Sequence, residues 1–191
     1  MKNSSAQYCD ITKNAICIDG VNVFASEGDF SSFSKQAMQH FKIDYPKFYK
    51  MDNLSKLAFL GAELLLRDLT NETNLERTAL VFANRSSSLD TDIKYQDSIA
   101  DKDEYYPSPG VFVYTLPNIC LGEISIRHHL KSENSFFIFE AFNKAFLFKY
   151  AEILLKTDKA DRVLCGWVEY FKEEYTAHFF LIAQDQQNSN F

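Results

Sequence analysis

Two stretches of this chain are too apolar to have a wet side. TALVFAN (Thr78–Asn84) and SFFIF (135–139) carry hydrophobic residues at consecutive rather than alternate positions. A strand of that kind is covered on both faces, unlike the half-solvated strands of a simple antiparallel sheet. DRVLCGWVEY (161–170) and AHFFLIAQ (177–184) read as two further core strands. Helical patterns alternate with these runs, which implies an α/β architecture: α/β/α layers around a mixed sheet.

The clearest helix follows Asp52 or Asn53, either of which suits an N-cap. In NLSKLAFLGAELLLRDL, Leu54, Leu57, Ala58, Gly61, Leu64 and Leu65 fall on one face at helical spacing. Gly61 costs about 1 kcal/mol relative to Ala in a helix interior, so its place on that face predicts a closely approaching neighbour. A shorter helix is expected over 33–41, ended before Tyr45-Pro46. Asp19-Gly20 between two β-prone runs, 15–18 and 21–24, signals a hairpin. The stretch 141–156 is a helix apolar nearly all round, with only a stripe of Lys149, Glu152 and Lys156, and Lys144 to one side. Such a helix is buried centrally in an assembly larger than its own surface.

The 191 residues suit one domain, 1–191, with 46% hydrophobic and 15% aromatic residues to fill its core. A formal charge of −6 disfavours nucleic acid as a partner, which requires concentrated Lys and Arg. No run reaches the roughly 18 apolar residues of a membrane span, and the first residues lack a signal-peptide pattern. A cytoplasmic protein is expected. Cys9, Cys17, Cys120 and Cys165 are scattered without CxxC spacing, so they read as reduced, structural thiols rather than metal ligands. Ser86, Ser87 and Ser88 sit in no GxSxG elbow or P-loop and form a strand-to-helix loop. His40 and His178 have no ligand-spaced companions, and His128-His129 reads as a helix end or surface pair. The acidic clusters at 101–104 and at Glu173-Glu174 read as solvated surface. No cofactor or metal site is expected.

The segment PSPGVFVYTLPNICLGEISIRHHL, followed by ENSFFIFEAFNKAFLFKYAEILL and DRVLCGWVEY, resembles the N-terminal half of β-ketoacyl-acyl-carrier-protein synthases. These belong to the thiolase-like superfamily. The resemblance implies a thiolase-like half with its buried central helix at 141–156. It also implies a nucleophilic cysteine at the start of that helix. Counting from Asn134, which matches the family's Gly-Pro-Asn turn, that position is Ala141, flanked by Glu140, Phe142 and Asn143. No cysteine lies between Cys120 and Cys165. The chain therefore looks like a truncated synthase without its thiol.

The resemblance implies a non-catalytic accessory subunit of fatty-acid-like or polyketide and polyene biosynthesis. It would pair as a homodimer or as a heteromer with a ketosynthase, or else dock an acyl carrier protein, for which Lys47, Lys50 and Lys56 are the candidate basic residues. Phe136, Phe137, Phe142, Phe146 and Tyr150 are the expected interface. One alternative is half of a composite condensing enzyme, with Cys120 or Cys165 as its thiol. Another is a self-dimer that binds a hydrophobic small molecule.

Overall fold

The computed structural model describes residues 8–67, 69, 74–101 and 106–183. The polar tail 185–191 and residues 102–104 of one acidic cluster lie outside the described residues. Seven strands form one mixed sheet in the order β3-β2-β1-β7-β6-β4-β5. Their ranges are β1 Tyr8–Thr12, β2 Ala15–Ile18, β3 Val21–Ala25, β4 Thr78–Asn84, β5 Asn134–Ile138, β6 Arg162–Phe171 and β7 Glu174–Ala183. β4 pairs in parallel with both β5 and β6, and every other pairing is antiparallel. The helices are α1 Phe30–His40, α2 Asn53–Leu66, α3 Leu89–Ile99, α4 Pro109–Phe112, α5 Ile119–His128 and α6 Lys144–Lys156.

The alternation of side chains along each strand splits the core into two layers. Leu80, Phe82, Leu164, Val168, Ala177 and Phe179 face α1, α2 and α5. Ala79, Val81, Ala83, Val163, Cys165 and Trp167 face α6. Every residue of β4 is buried, as its composition demands. β5, read from the same kind of run, is instead an edge strand of half-buried and exposed residues. An apolar run records the tendency to be covered; it does not say which neighbour does the covering.

α2 starts where its cap was expected: the Asp52 carboxylate accepts a hydrogen bond from the Ser55 amide at 2.9 Å. From Leu57 to Leu66 every residue is buried, Gly61 among them. An added Cβ at Gly61 would land within the ring of Phe179 on β7. At Gly166, the β6 residue paired with Phe179, it would lie 3.0 Å from atoms of both Phe179 and Phe82. The two glycines thus admit one aromatic ring between helix and sheet.

α5 docks on α2 through Glu63. Arg127 makes a bidentate contact (Nε to Oε2 3.0 Å, Nη2 to Oε1 2.8 Å), and His128 Nε2 lies 3.0 Å from Oε2. Burial works to raise the Glu63 pKa, but the adjacent His128 imidazole and the hydrogen-bonded Arg127 guanidinium overcome it and hold it at about 2. His128 is therefore a buried tie between helices, not a surface histidine, while His129 takes the left-handed C-cap conformation.

Asp19 and Gly20 both have positive φ (48° and 80°) and close the β2–β3 hairpin. A second two-residue hairpin, at Lys172 and Glu173 (φ 49° and 65°), joins β6 to β7. Its turn residues are unfavourable in that conformation, and tertiary contacts hold them. The Glu173 carboxylate accepts from the Phe30 amide at 2.9 Å and from the Tyr170 hydroxyl at 2.8 Å, and the Lys172 amide donates to Asp90 at 3.0 Å. Glu173 is thus a structural anchor rather than simply solvated.

Gly61→Ala is expected to destabilise the protein by about 1–3 kcal/mol, the range for overpacking a filled core. Chemical denaturation measures it; a stability equal to wild type would show that Phe179 does not fill this gap.

Candidate functional site

The corner between β5 and α6 is the position to test, because the resemblance places a nucleophile there. Phe139 extends the β4–β5 ladder by one bond, its amide donating to the Asn84 carbonyl at 2.9 Å. The chain then bends through Glu140 and Ala141, and α6 begins at Lys144, three residues later than its apolar pattern suggests. Asn143 causes the delay: its side-chain oxygen accepts from the Phe146 amide at 3.0 Å and caps the helix. Residues 139–145 line an open hollow of about 520 Å³. Glu140, Ala141, Phe142 and Asn143 are all exposed. Ala141 thus carries no nucleophile, and it lies ahead of the cap rather than on the free helix N-terminus that lowers a thiol's pKa.

None of the three buried thiols is suited to replace it. Burial pushes the Cys165 thiol up to about 12, and its sulfur lies 3.7 Å from the Leu147 carbonyl inside the α6 layer. Cys120 is fully buried, pushed well up by that burial, and donates to the Pro117 carbonyl at 3.1 Å. Cys9 is raised for the same reason, with Asp10 adding to it. A thiol held protonated is a poor nucleophile. Nor does any group of three or more His, Cys, Asp or Glu among the described residues form a metal cage.

The serine loop is structural as expected. Ser88 donates to the Thr115 carbonyl at 2.7 Å, and Glu169 accepts from the Arg85 and Ser86 amides at 2.7 and 3.2 Å. Lys47 pairs with the buried Glu123 at 2.7 Å. Lys56 is half-buried, and Lys50 lines a cleft of about 410 Å³ with Asp52, Lys94 and Tyr114. His40 packs on Phe24 and Phe41.

The five aromatic residues assigned to an interface do not share one face. Phe137, Phe146 and Tyr150 cluster on the α6 side, with centroid separations of 4.9 to 6.0 Å. Phe136 points into the opposite layer. Phe142 lies beyond the cluster, its ring stacked on His178 at 5.5 Å and 5.7 Å from Trp167. His178 does have a carboxylate partner, contrary to its isolation in sequence: Asp10 Oδ1 lies 2.8 Å from Nδ1. The β1–β7 ladder places the two directly opposite each other across 168 residues of chain. Only a β1 strand recognised at Tyr8–Thr12, with its register, would have revealed the pair.

This layered sheet matches solved structures. The ishigamide ketosynthase/chain length factor aligns with a TM-score of 0.69 over 96% of this chain and 62% of that one, at 16% identity. A ketosynthase in complex with its chain length factor from Xenorhabdus doucetiae gives 0.59 over 93% and 76%, at 16% identity. A β-ketoacyl synthase from Burkholderia phymatum gives 0.61 over 94% and 58%, at 11% identity. The chain has a ketosynthase-like, thiolase-like fold. It spans about three fifths of the length of the first and third of these structures. No family model matches the sequence, and no curated protein matches it. At these identities the ketosynthase likeness is one of fold, and its chemistry has to be judged on the residues above.

Iodoacetamide should label Cys17, the half-exposed thiol, faster than any other in the native protein. Cys9, Cys120 and Cys165 should react only after denaturation. Rapid stoichiometric labelling of Cys120 or Cys165 in the native state, followed by peptide mass spectrometry, would restore a thiol mechanism.

Proposed function

We propose that this chain is a non-condensing, ketosynthase-like accessory subunit that works by pairing with a ketosynthase in fatty-acid-like or polyketide-type chain assembly. The observation that carries this reading is the β5–α6 corner, where the expected thiol position is Ala141, exposed and outside the helix. Condensation proceeds through an acyl group held on a nucleophile, and alanine cannot hold one. Two of the similar structures are named for ketosynthases together with chain length factors, which supports a partner role for a related fold.

The surface supports pairing as well. α6 buries Leu147, Ala151, Leu154 and Leu155 against the sheet but leaves Ile153 49% exposed, with Phe146, Phe148 and Tyr150 only half covered. β5 is a sheet edge with Ile138 exposed. A second apolar group, Phe112, Val113 and Leu116, projects from α4 and the turn after it. Exposed apolar side chains on such elements are candidates for coverage by another chain, and an unpaired edge strand is a template for one. A ketosynthase is the partner we assign to it. Carrier-protein docking is the weaker role, since carrier proteins are themselves acidic, this chain's formal charge is −6, and Lys47 is already engaged by Glu123.

Incubated alone with acyl- and malonyl-loaded carrier protein, the purified chain is expected to form no β-ketoacyl product by liquid chromatography–mass spectrometry. Product formed by this chain without a second synthase would overturn the non-condensing assignment.

A further inference from the structure

β7 carries a second chemical arrangement, independent of the missing thiol. Thr176 and His178 project from the same face of the strand, two residues apart. The Thr176 hydroxyl lies 3.3 Å from His178 Nε2, and His178 Nδ1 lies 2.8 Å from Asp10 Oδ1. The tautomer that satisfies both contacts has Nδ1–H donating to the carboxylate and the Nε2 lone pair facing the hydroxyl. That is the hydroxyl–imidazole–carboxylate order in which a base activates an alcohol and a carboxylate orients the base. All three residues are partly exposed, so a substrate carbonyl has access. Beside them Phe142 stacks over the imidazole and approaches Trp167 at 5.7 Å, giving the imidazole an apolar flank. The carboxylate directly opposite Thr176 on β6, Glu169, accepts the Arg85 and Ser86 amides on Oε2, while its buried Oε1 has no hydrogen-bond partner.

We propose that Thr176 is an acyl-acceptor site for activated acyl esters and thioesters, with His178 as its base and Asp10 as a positioning residue. Thr176 Oγ attacks the acyl carbonyl carbon as its proton passes to Nε2. The new Oγ–C bond forms, the donor's C–S bond (C–O in an ester) breaks, and the leaving thiolate or alkoxide takes the proton from Nε2. No oxidant, reductant or metal enters the balance. The ladders on both sides of β7 commit its backbone amides to neighbouring strands, so an oxyanion receives little of the help that backbone donors give in fast acyl-transfer enzymes. The expected outcome is slow acylation to one equivalent, not rapid turnover. The inference does not depend on a ketosynthase partner.

The test incubates the full chain with the N-acetylcysteamine thioester of octanoic acid and follows intact mass, then maps the adduct by peptide mass spectrometry. One octanoyl increment at Thr176 is expected. Thr176→Val, nearly isosteric, should abolish it, and Thr176→Ser should retain it, which separates loss of the hydroxyl from loss of the fold. His178→Gln should slow acylation at least tenfold and flatten its pH dependence. Asp10→Asn should slow it while leaving a pH-dependent rate. An adduct that maps to a lysine or to Cys17, an unchanged rate in Thr176→Val, or no adduct in the wild-type chain would each overturn the proposal.

Discussion

The ring of Phe179 sets how closely α2 approaches the sheet, and most of the remaining structure is built outward from that approach. Gly166 beneath the ring and Gly61 above it leave room for an aromatic group and nothing more. Phe82 closes the side of the same space at a centroid distance of 5.5 Å. With α2 fixed, its buried Glu63 becomes the anchor for α5 through Arg127 and His128. Breaking a buried pair by removing one partner typically costs about 3–5 kcal/mol, so this tie is sensitive to loss of either side. α5 in turn leads through residues 129–133 into β5, whose end forms the corner where a ketosynthase nucleophile would stand. The helix packing and the candidate site are thus mechanically continuous.

Features with a local cause could be read from sequence. β4 followed from its unbroken apolar run, α2 from its cap and stripe, the first hairpin from Asp19-Gly20, and the Gly61 approach from a glycine placed where a helix least wants one. Features with a distant cause could not. Lys172-Glu173 carries no turn signal, because the stabilising groups are the Phe30 amide, the Tyr170 hydroxyl and Asp90, which the fold brings together. His178 looked solitary because its partner is Asp10, at the other end of the chain. β5 and β4 have similar composition, and only sheet order makes one an edge. At α6, Asn143 outweighed the apolar pattern by capping the helix three residues late.

The fold does not depend on the residue at the β5–α6 corner. The layers depend on Phe179, on the two glycines and on Glu63, none of which is a nucleophile. A thiol at the β5–α6 corner contributes little to packing, since residues 140–143 are exposed. Alanine at this corner therefore costs the fold little. What remains is a stable platform with an apolar helix face, an open sheet edge and a protruding apolar turn, three surfaces that gain by being covered.

The central claim is that another subunit covers them. The most direct measurement is gentle affinity purification of the tagged chain from its native host, with the intact assembly weighed by native mass spectrometry and its subunits identified. The account predicts a stoichiometric complex containing a full-length ketosynthase. Recovery of this chain only, as a monomer or a self-dimer at every concentration tested, would contradict it.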